Sequence, residues 1–343
     1  MLHFCTYFDH RYLGRGLALL ESLRRQSPPF RLWILCLDEP CRELLQKISP
    51  PEVRLIGLPE FERNDPELRR AKENRSLVEY YFTCTPSLPL FVLNQAPEID
   101  LITYLDSDLF FFDNPSPLFD EIGQHSIAII PHRFSPHLRH MEANGLYNVG
   151  WVSFRRDASG LSCLRWWRER CLEWCRDVAE TTRYADQKYL DEWPSRFPGV
   201  HIVAHPGANL APWNLGNSRL QYRDGRVWVD DRPLIFFHFQ GVKPIRSWLF
   251  DTNLAGYAQR SSRLLRRHIY VPYLQTILQT ERVLAPWTRG RNLLPSGIRY
   301  TSEPVSAVER FVRRSRKAAR CLRGILTGSY LVASRRRANG PPP

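Results

Sequence analysis

The sequence predicts an α/β fold: a mostly parallel central sheet flanked by helices, with a basic helical extension at the C-terminal end. Three observations carry this expectation. Short apolar runs alternate with stretches of helical periodicity from the first residues onward, the order that builds a parallel sheet covered by helices. The 343 residues are 43% hydrophobic and 24% charged, a globular composition long enough for one large domain plus an appendage. An apolar run, Leu101–Leu105, ends directly in Asp106-Ser107-Asp108, and the carboxyl ends of strands are where α/β sheets bind ligands.

The elements follow in order. Leu2–Phe8 reads as a buried strand, and Tyr12–Gln26 as a helix with Leu13, Leu17, Leu20 and Leu23 at helical spacing. A second strand, "FRLWILCL", precedes a short helix, "PCRELLQKI", with Pro near its start, and a third strand, "EVRLIGL". Residues 65–95 are mostly helical, with Pro86 and Pro89 expected to break the pattern. After the fourth strand, "LITYL", come strands at Ser126–His132 and Tyr147–Arg155, then an amphipathic helix over Leu161–Val178. "ADQKYLDEWP" is a short helix stopped by Pro194, "RLQYRDGRVWV" a hairpin around Asp224-Gly225, and "PLIFFHF" a last core strand that delivers His238.

Composition changes beyond Gly256, so the expected division is a domain at 1–256 and a basic, mainly helical extension at 257–343. The net charge of +13 is uneven: residues 260–343 hold 18 Arg/Lys against 3 Glu, leaving 30 basic and 32 acidic groups in the rest. A near-neutral body with a basic tail is not a nucleic-acid binder's distribution. Val305–Leu326 pairs an apolar stripe with dense Arg, a pattern that suits the surface of an anionic membrane; a helix packed on the body is the alternative. The closing "SRRRANGPPP" reads as disordered.

Eight Cys are scattered without a CxxC pair and read as buried free thiols of a reducing compartment. Cys171 and Cys175 share an expected helix face, yet no His/Cys set completes a zinc site. "MLHFCTYF" enters a strand without a leader-like segment, and no window reaches 18 apolar residues. The expected location is cytoplasmic, with a peripheral position on the inner membrane face if the tail binds lipid.

Asp106 and Asp108 stand at i, i+2 after a strand, where two carboxylates approach one hard cation. Mg²⁺ or Mn²⁺ characteristically takes one or two carboxylates plus substrate phosphates. His238 is the candidate third ligand; after it, Gly241 permits close backbone approach and Lys243 offers a cation for phosphate. Phe110-Phe111-Phe112 would anchor the acidic turn in the core.

In this combination the chain resembles the GT-A-fold glycosyltransferases, particularly the retaining family that includes glycogenin and bacterial lipopolysaccharide galactosyl- and glucosyltransferases. The resemblance spans roughly residues 1–250. It implies transfer of a sugar from a nucleoside-diphosphate sugar, with UDP favoured, to a glycan or lipid-linked acceptor, in cell-surface polysaccharide synthesis and with retention. "YLDSDLFF" matches the DxD motif, implying that Asp106 and Asp108 bind Mn²⁺ or Mg²⁺. "TYFDHRYLGRG" implies Asp9 and Tyr12 against the nucleotide. "YNVGWVSFR" implies Asn148 and Gly150 near the donor sugar. "ADQKYL" implies Asp186 and Gln187 beside the reacting carbon, and "HFQGVKP" implies His238 on the metal with Gly241 and Lys243 on the diphosphate. Lys188 and Ile245 depart from residues frequent in the family. "KENRSLVEYYFTCTPSLPLF" fits a narrower bacterial branch, with Lys72 and Arg75 as candidates for the phosphates or as solvated helix charges. Trp213 and Asn214 offer a sugar platform; Trp213 is equally a core residue. A sugar-nucleotide nucleotidyltransferase is the first alternative, disfavoured because the loop after the first strand lacks a Gly-rich grip. A non-catalytic glycan or nucleotide binder is the second.

Overall fold

A computed structural model describes residues 1–48, 50–246, 248–288, 322, 324, 325 and 328–333. The chain divides into two units, Met1–His238 and Phe239–Pro343.

The first unit is built on a seven-stranded sheet of β1 (Leu2–Phe8), β2 (Phe30–Cys36), β3 (Val53–Gly57), β4 (Leu101–Leu105), β6 (Ile127–Pro131), β7 (Tyr147–Arg155) and β8 (Val200–Ile202). A short β5 (Leu109–Phe111) lies outside it. The order is β3-β2-β1-β4-β7-β6-β8. β1, β2, β3 and β4 pair in parallel, as do β6 and β8. β7 runs antiparallel to both its neighbours. The expected α/β class with a mostly parallel sheet is therefore present. The direction of β7 was not legible, because residues 148–154 are all buried and a strand covered on both faces shows no alternation.

The flanking helices are α1 (Leu13–Gln26), α2 (Glu39–Ile48), α3 (Leu58–Glu62), α4 (Pro66–Glu73), α5 (Leu77–Gln95), α6 (Ser116–Ile122), α7 (Ala158–Glu173) and α8 (Trp193–Arg196). Three expectations need correction. α5 continues through Pro86 and Pro89. Its start is fixed by a capping box of Ser76 and Glu79, and Tyr80, Cys84, Leu88 and Val92 are buried. That burial offsets the missing hydrogen bonds. α7 starts earlier than expected, where the Asp157 side chain accepts from Gly160 N, and ends at Glu173. Cys175 thus lies past the helix that carries Cys171, and both are buried free thiols. Pro194 occupies the first turn of α8 rather than stopping a helix.

The hairpin of β9 (Leu220–Arg223) and β10 (Arg226–Val229) turns where expected, at Asp224 and Gly225, both with positive φ (52° and 76°). β11 (Arg232–Pro233) extends it. β12 (Phe236–His238), expected as a core strand of the sheet, instead pairs antiparallel with β5 in a two-stranded ladder.

The second unit contains an antiparallel sheet of β13 (Lys243–Arg246), β14 (Leu249–Asp251) and β15 (Tyr330–Val332). Its helix α9 (Val271–Thr288) brings Tyr273 into a stack on Phe239 with centroids 3.8 Å apart. Of the expected basic helix Val305–Leu326, only residues 322, 324 and 325 fall among the described residues, and the expected disordered end, 334–343, lies outside them. No helix among the described residues is long and apolar enough to cross a membrane.

Candidate active site

β4 ends at Leu105, and the next four residues form a turn in which Leu109 N donates to the Asp106 carbonyl at 3.2 Å. Asp106 N donates in turn to the Gly150 carbonyl on β7 at 3.1 Å. The chain then enters β5, whose ladder pairs Leu109 with His238, Phe110 with Phe237 and Phe111 with Phe236. This register carries His238 to the acidic turn. The Phe run is buried at Phe110 and Phe111, and Phe236 stacks on Trp151 at 5.5 Å. Asp113 stands apart, paired with Arg226 at 3.0 Å and accepting from Asn114 N.

Asp106, Asp108 and His238 bring one ligand atom each within 4.8 Å of one another, the one such group among the described residues. His238 Nε2 lies 3.1 Å from Asp108 Oδ1 and 3.7 Å from Asp106 Oδ2. The ring is 3% exposed, and Nε2 has no partner with hydrogen-bond directionality. The other nitrogen, Nδ1, sits 3.2 Å from Asn148 Oδ1, so the network assigns the proton there and leaves the Nε2 lone pair facing two carboxylates. Tyr104 donates to Asp106 Oδ1 at 2.9 Å, which leaves Oδ2 toward the cluster. A buried lone pair beside two oxygens is an arrangement a divalent cation completes. The mixed oxygen and imidazole set suits Mn²⁺ and tolerates Mg²⁺.

The electrostatics agree. Burial, with Asp108 adding to it against the pull of His238, pushes Asp106 up to about 6. Burial also opposes charge on Asp108, yet His238 and then Arg15 outweigh it and hold that carboxyl below its usual range. Burial disfavours the His238 imidazolium, but Asp108 and Asp106 raise its affinity for a proton above the ordinary value.

A second group adjoins this cluster. Asn148 and Gly150 stand on β7. Asn148 Nδ2 lies 3.3 Å from both His132 Nε2 and Gln187 Oε1, while Oδ1 accepts from Gly150 N at 3.1 Å. Gln187 Nε2 donates to the Asn144 carbonyl at 3.0 Å. A Cβ on Gly150 would stand 2.5 Å from Asn148 Oδ1 and 2.9 Å from His238 Nδ1, so the missing side chain is what allows His238 this close to β7. Asp186 follows Ala185, whose φ is 45°. It is 5% exposed, and its carbonyl accepts from Trp167 Nε1 at 2.7 Å. Burial, with Asp106 adding to it against a Thr85 hydrogen bond, pushes its carboxyl up to about 7. Thr85 also bonds Tyr7 at 3.0 Å, and the Tyr7 ring lies 5.7 Å from Tyr104.

The remaining sequence-derived residues divide. Asp9, at the end of β1, is buried and accepts from Arg11 N and Tyr12 N; Tyr12 is 45% exposed beside it. Lys72 pairs with Glu62 at 2.7 Å. Arg75 bonds Thr83 and the Leu172 carbonyl at 2.6 Å. Lys72 thus ties α4 to α3 from a partly exposed position, and Arg75 ties α5 to α7. Trp213 and Asn214 are buried, which removes them as an exposed sugar platform. Both donate to the His132 carbonyl at 2.9 Å, and the Trp213 ring meets His238 edge-on at 5.1 Å. They brace the two histidines. Gly241 and Lys243 fall in the second unit.

Sequence reading missed three contributors. Arg15 is 6% exposed and its charge acts on Asp108; an arginine between the spaced leucines carries no signal of burial in sequence, yet α1 is buried at ten of its 14 residues. His132 follows β6 at the close of the apolar "AIIPH" run; burial holds it neutral, at about 3. Tyr104 reads as a core aromatic until Asp106 is placed beside its hydroxyl.

No protein-family model matches the chain. It is similar to two uncharacterized proteins of Bacillus subtilis (strain 168). YfnD is 34% identical over 275 residues, covering 79% of this chain and 87% of YfnD. YfnF is 35% identical over 248 residues, covering 70% and 81%. Among solved structures it aligns with galactosyltransferase LgtC in complex with donor and acceptor sugar analogs (18% identity, TM-score 0.43, 77% of this chain and 99% of that one). It also aligns with mouse xyloside xylosyltransferase 1 (14%, 0.46, 70% and 98%) and with glycosyltransferase GlyE of Streptococcus pneumoniae TIGR4 (15%, 0.47, 87% and 66%).

Proposed function

The chain belongs to the family of the Bacillus subtilis proteins YfnD and YfnF, and we propose that it is a metal-dependent glycosyltransferase acting on a nucleoside-diphosphate sugar. The observation that supports this most is the group of Asp106, Asp108 and His238, whose Nε2 lone pair is buried against two carboxylates. The acceptor class is a glycan or a lipid-linked glycan, the donor a UDP-hexose, and the setting cell-surface polysaccharide synthesis.

The roles follow from chemistry. Asp106, Asp108 and His238 would hold the Mn²⁺ or Mg²⁺, which when bound supplies positive charge to the departing diphosphate. Tyr104 fixes the rotamer of Asp106, and Arg15 adds a fixed positive charge beside Asp108. Asp9 and Tyr12 border the nucleotide, and Lys243 and Gly241 serve the diphosphate. Loss of the leaving group gives the sugar carbon oxocarbenium character, by analogy with glycoside hydrolysis. Asp186 and Gln187 are the groups assigned to that face, in keeping with a retaining outcome. The basic tail is assigned to an anionic membrane surface at the cytoplasmic face.

The test is a screen of sugar nucleotides for slow hydrolysis with Mn²⁺ or Mg²⁺. Asp106→Ala and Asp108→Ala should each lower turnover by about 10²-fold or more while circular dichroism stays unchanged. Full activity of either folded variant, or of the wild type in excess EDTA, refutes the assignment.

A further inference from the structure

Asn148 is fully engaged within the protein. A carboxamide has two N–H donors and two acceptor lone pairs. Here Nδ2 reaches His132 Nε2 and Gln187 Oε1, both at 3.3 Å, and Oδ1 receives Gly150 N at 3.1 Å and His238 Nδ1 at 3.2 Å. The residue is 6% exposed, on a central strand of the sheet. Its two ends also face different chemistry: the oxygen holds the histidine of the candidate metal centre, the nitrogen holds Gln187.

We infer that Asn148 is a positioning residue for both groups: it locks His238 in the tautomer that presents Nε2 to the cation, and it aims Gln187. The inference rests on the proposed function for its catalytic half only. A histidine ligand is oriented by the partner of its other ring nitrogen, and removal of such a partner typically lowers metal affinity ~10–100-fold. A sugar ligand would have no such effect on the metal alone. The second half concerns the amide nitrogen. An aspartate keeps the acceptor for His238 Nδ1 but turns an oxygen toward Gln187 Oε1, so the two functions separate in that variant.

The experiment titrates Mn²⁺ alone into the full chain, free Mn²⁺ being counted by electron paramagnetic resonance, beside donor hydrolysis with Mn²⁺ saturating. For Asn148→Leu, Mn²⁺ affinity should fall ~10–100-fold. For Asn148→Asp it should stay within about threefold of wild type, rescued by the retained acceptor, while kcat falls ~10-fold or more without a matching rise in donor KM. Unchanged Mn²⁺ affinity in a folded Asn148→Leu, or a loss confined to donor KM, overturns the inference and returns Asn148 to the sugar. Should Asn148→Leu not fold, Asn148→Asp decides: loss of Mn²⁺ affinity there, or kcat at the wild-type level, overturns it. A wild type that binds Mn²⁺ yet hydrolyses no sugar nucleotide refutes the proposed function and leaves the metal half standing.

Discussion

Asp186→Asn should stabilise the metal-free protein, and by an amount that grows with pH. The wild-type carboxyl is 5% exposed and is pushed from 3.8 to about 7, first by burial and then by Asp106. The folded state therefore holds this proton more tightly than the unfolded chain does. The resulting stability is fully present below about pH 4 and is lost as pH rises through about 7. With 1.36 kcal/mol for each pKa unit, the wild type has lost about 1.7 kcal/mol at pH 5 and about 4 kcal/mol at pH 8. Asparagine matches the carboxyl in shape and does not titrate, so the gap between variant and wild type should widen by about 2–3 kcal/mol over that interval. Urea unfolding in EDTA, followed by tryptophan fluorescence at pH 5 and pH 8, reads this difference directly. An equal gap at the two pH values would show that Asp186 is charged in the folded protein throughout, and the burial argument would be wrong.

Two further outcomes are expected. Gly150→Ala places a Cβ 2.5 Å from Asn148 Oδ1 and 2.9 Å from His238 Nδ1. It should destabilise the fold by about 1–3 kcal/mol and weaken Mn²⁺ binding together, measured by denaturation and metal titration; weakening of neither would mean that His238 has room to move. Trp213→Phe removes the donor to the His132 carbonyl while keeping an aromatic beside His238. A loss of about 1–3 kcal/mol with the donor KM unchanged within twofold is expected, whereas a large rise in KM at constant stability would restore Trp213 as a sugar contact.

The fold was legible because its signals are local. Apolar runs mark β1 to β4, helical spacing marks α1, and the turn at Asp224-Gly225 announces its own backbone, whereas α3 and the division between α4 and α5 left no such signal. The acidic pair was legible through its context, an apolar strand before it in a parallel-sheet order and His238 downstream, since two carboxylates in a turn are common by themselves. What escaped depended on partners remote in sequence. Arg15 reads as a surface cation until α1 proves buried on nearly every face. Trp213 and Asn214 suit a sugar on paper, yet the His132 carbonyl takes both their donors. Arg75 was left open between a phosphate and a solvated helix charge because nothing nearby in sequence reveals the Leu172 carbonyl as its acceptor. Pro86 and Pro89 signalled a break that tertiary burial of α5 overrode.

The ladder between β5 and β12 also bears on how the protein is made. Asp106 and Asp108 leave the ribosome long before His238 does, and the sheet strands β6, β7 and β8 are synthesised in between. Pairing across so wide a sequence separation closes a large loop, and contacts of that kind slow folding. A nascent chain thus carries the acidic turn before β12 brings the imidazole that stands beside it. A chain terminated before Phe236 would hold every strand of the seven-stranded sheet and still lack His238, so the acidic turn and its imidazole neighbour belong to different stages of synthesis.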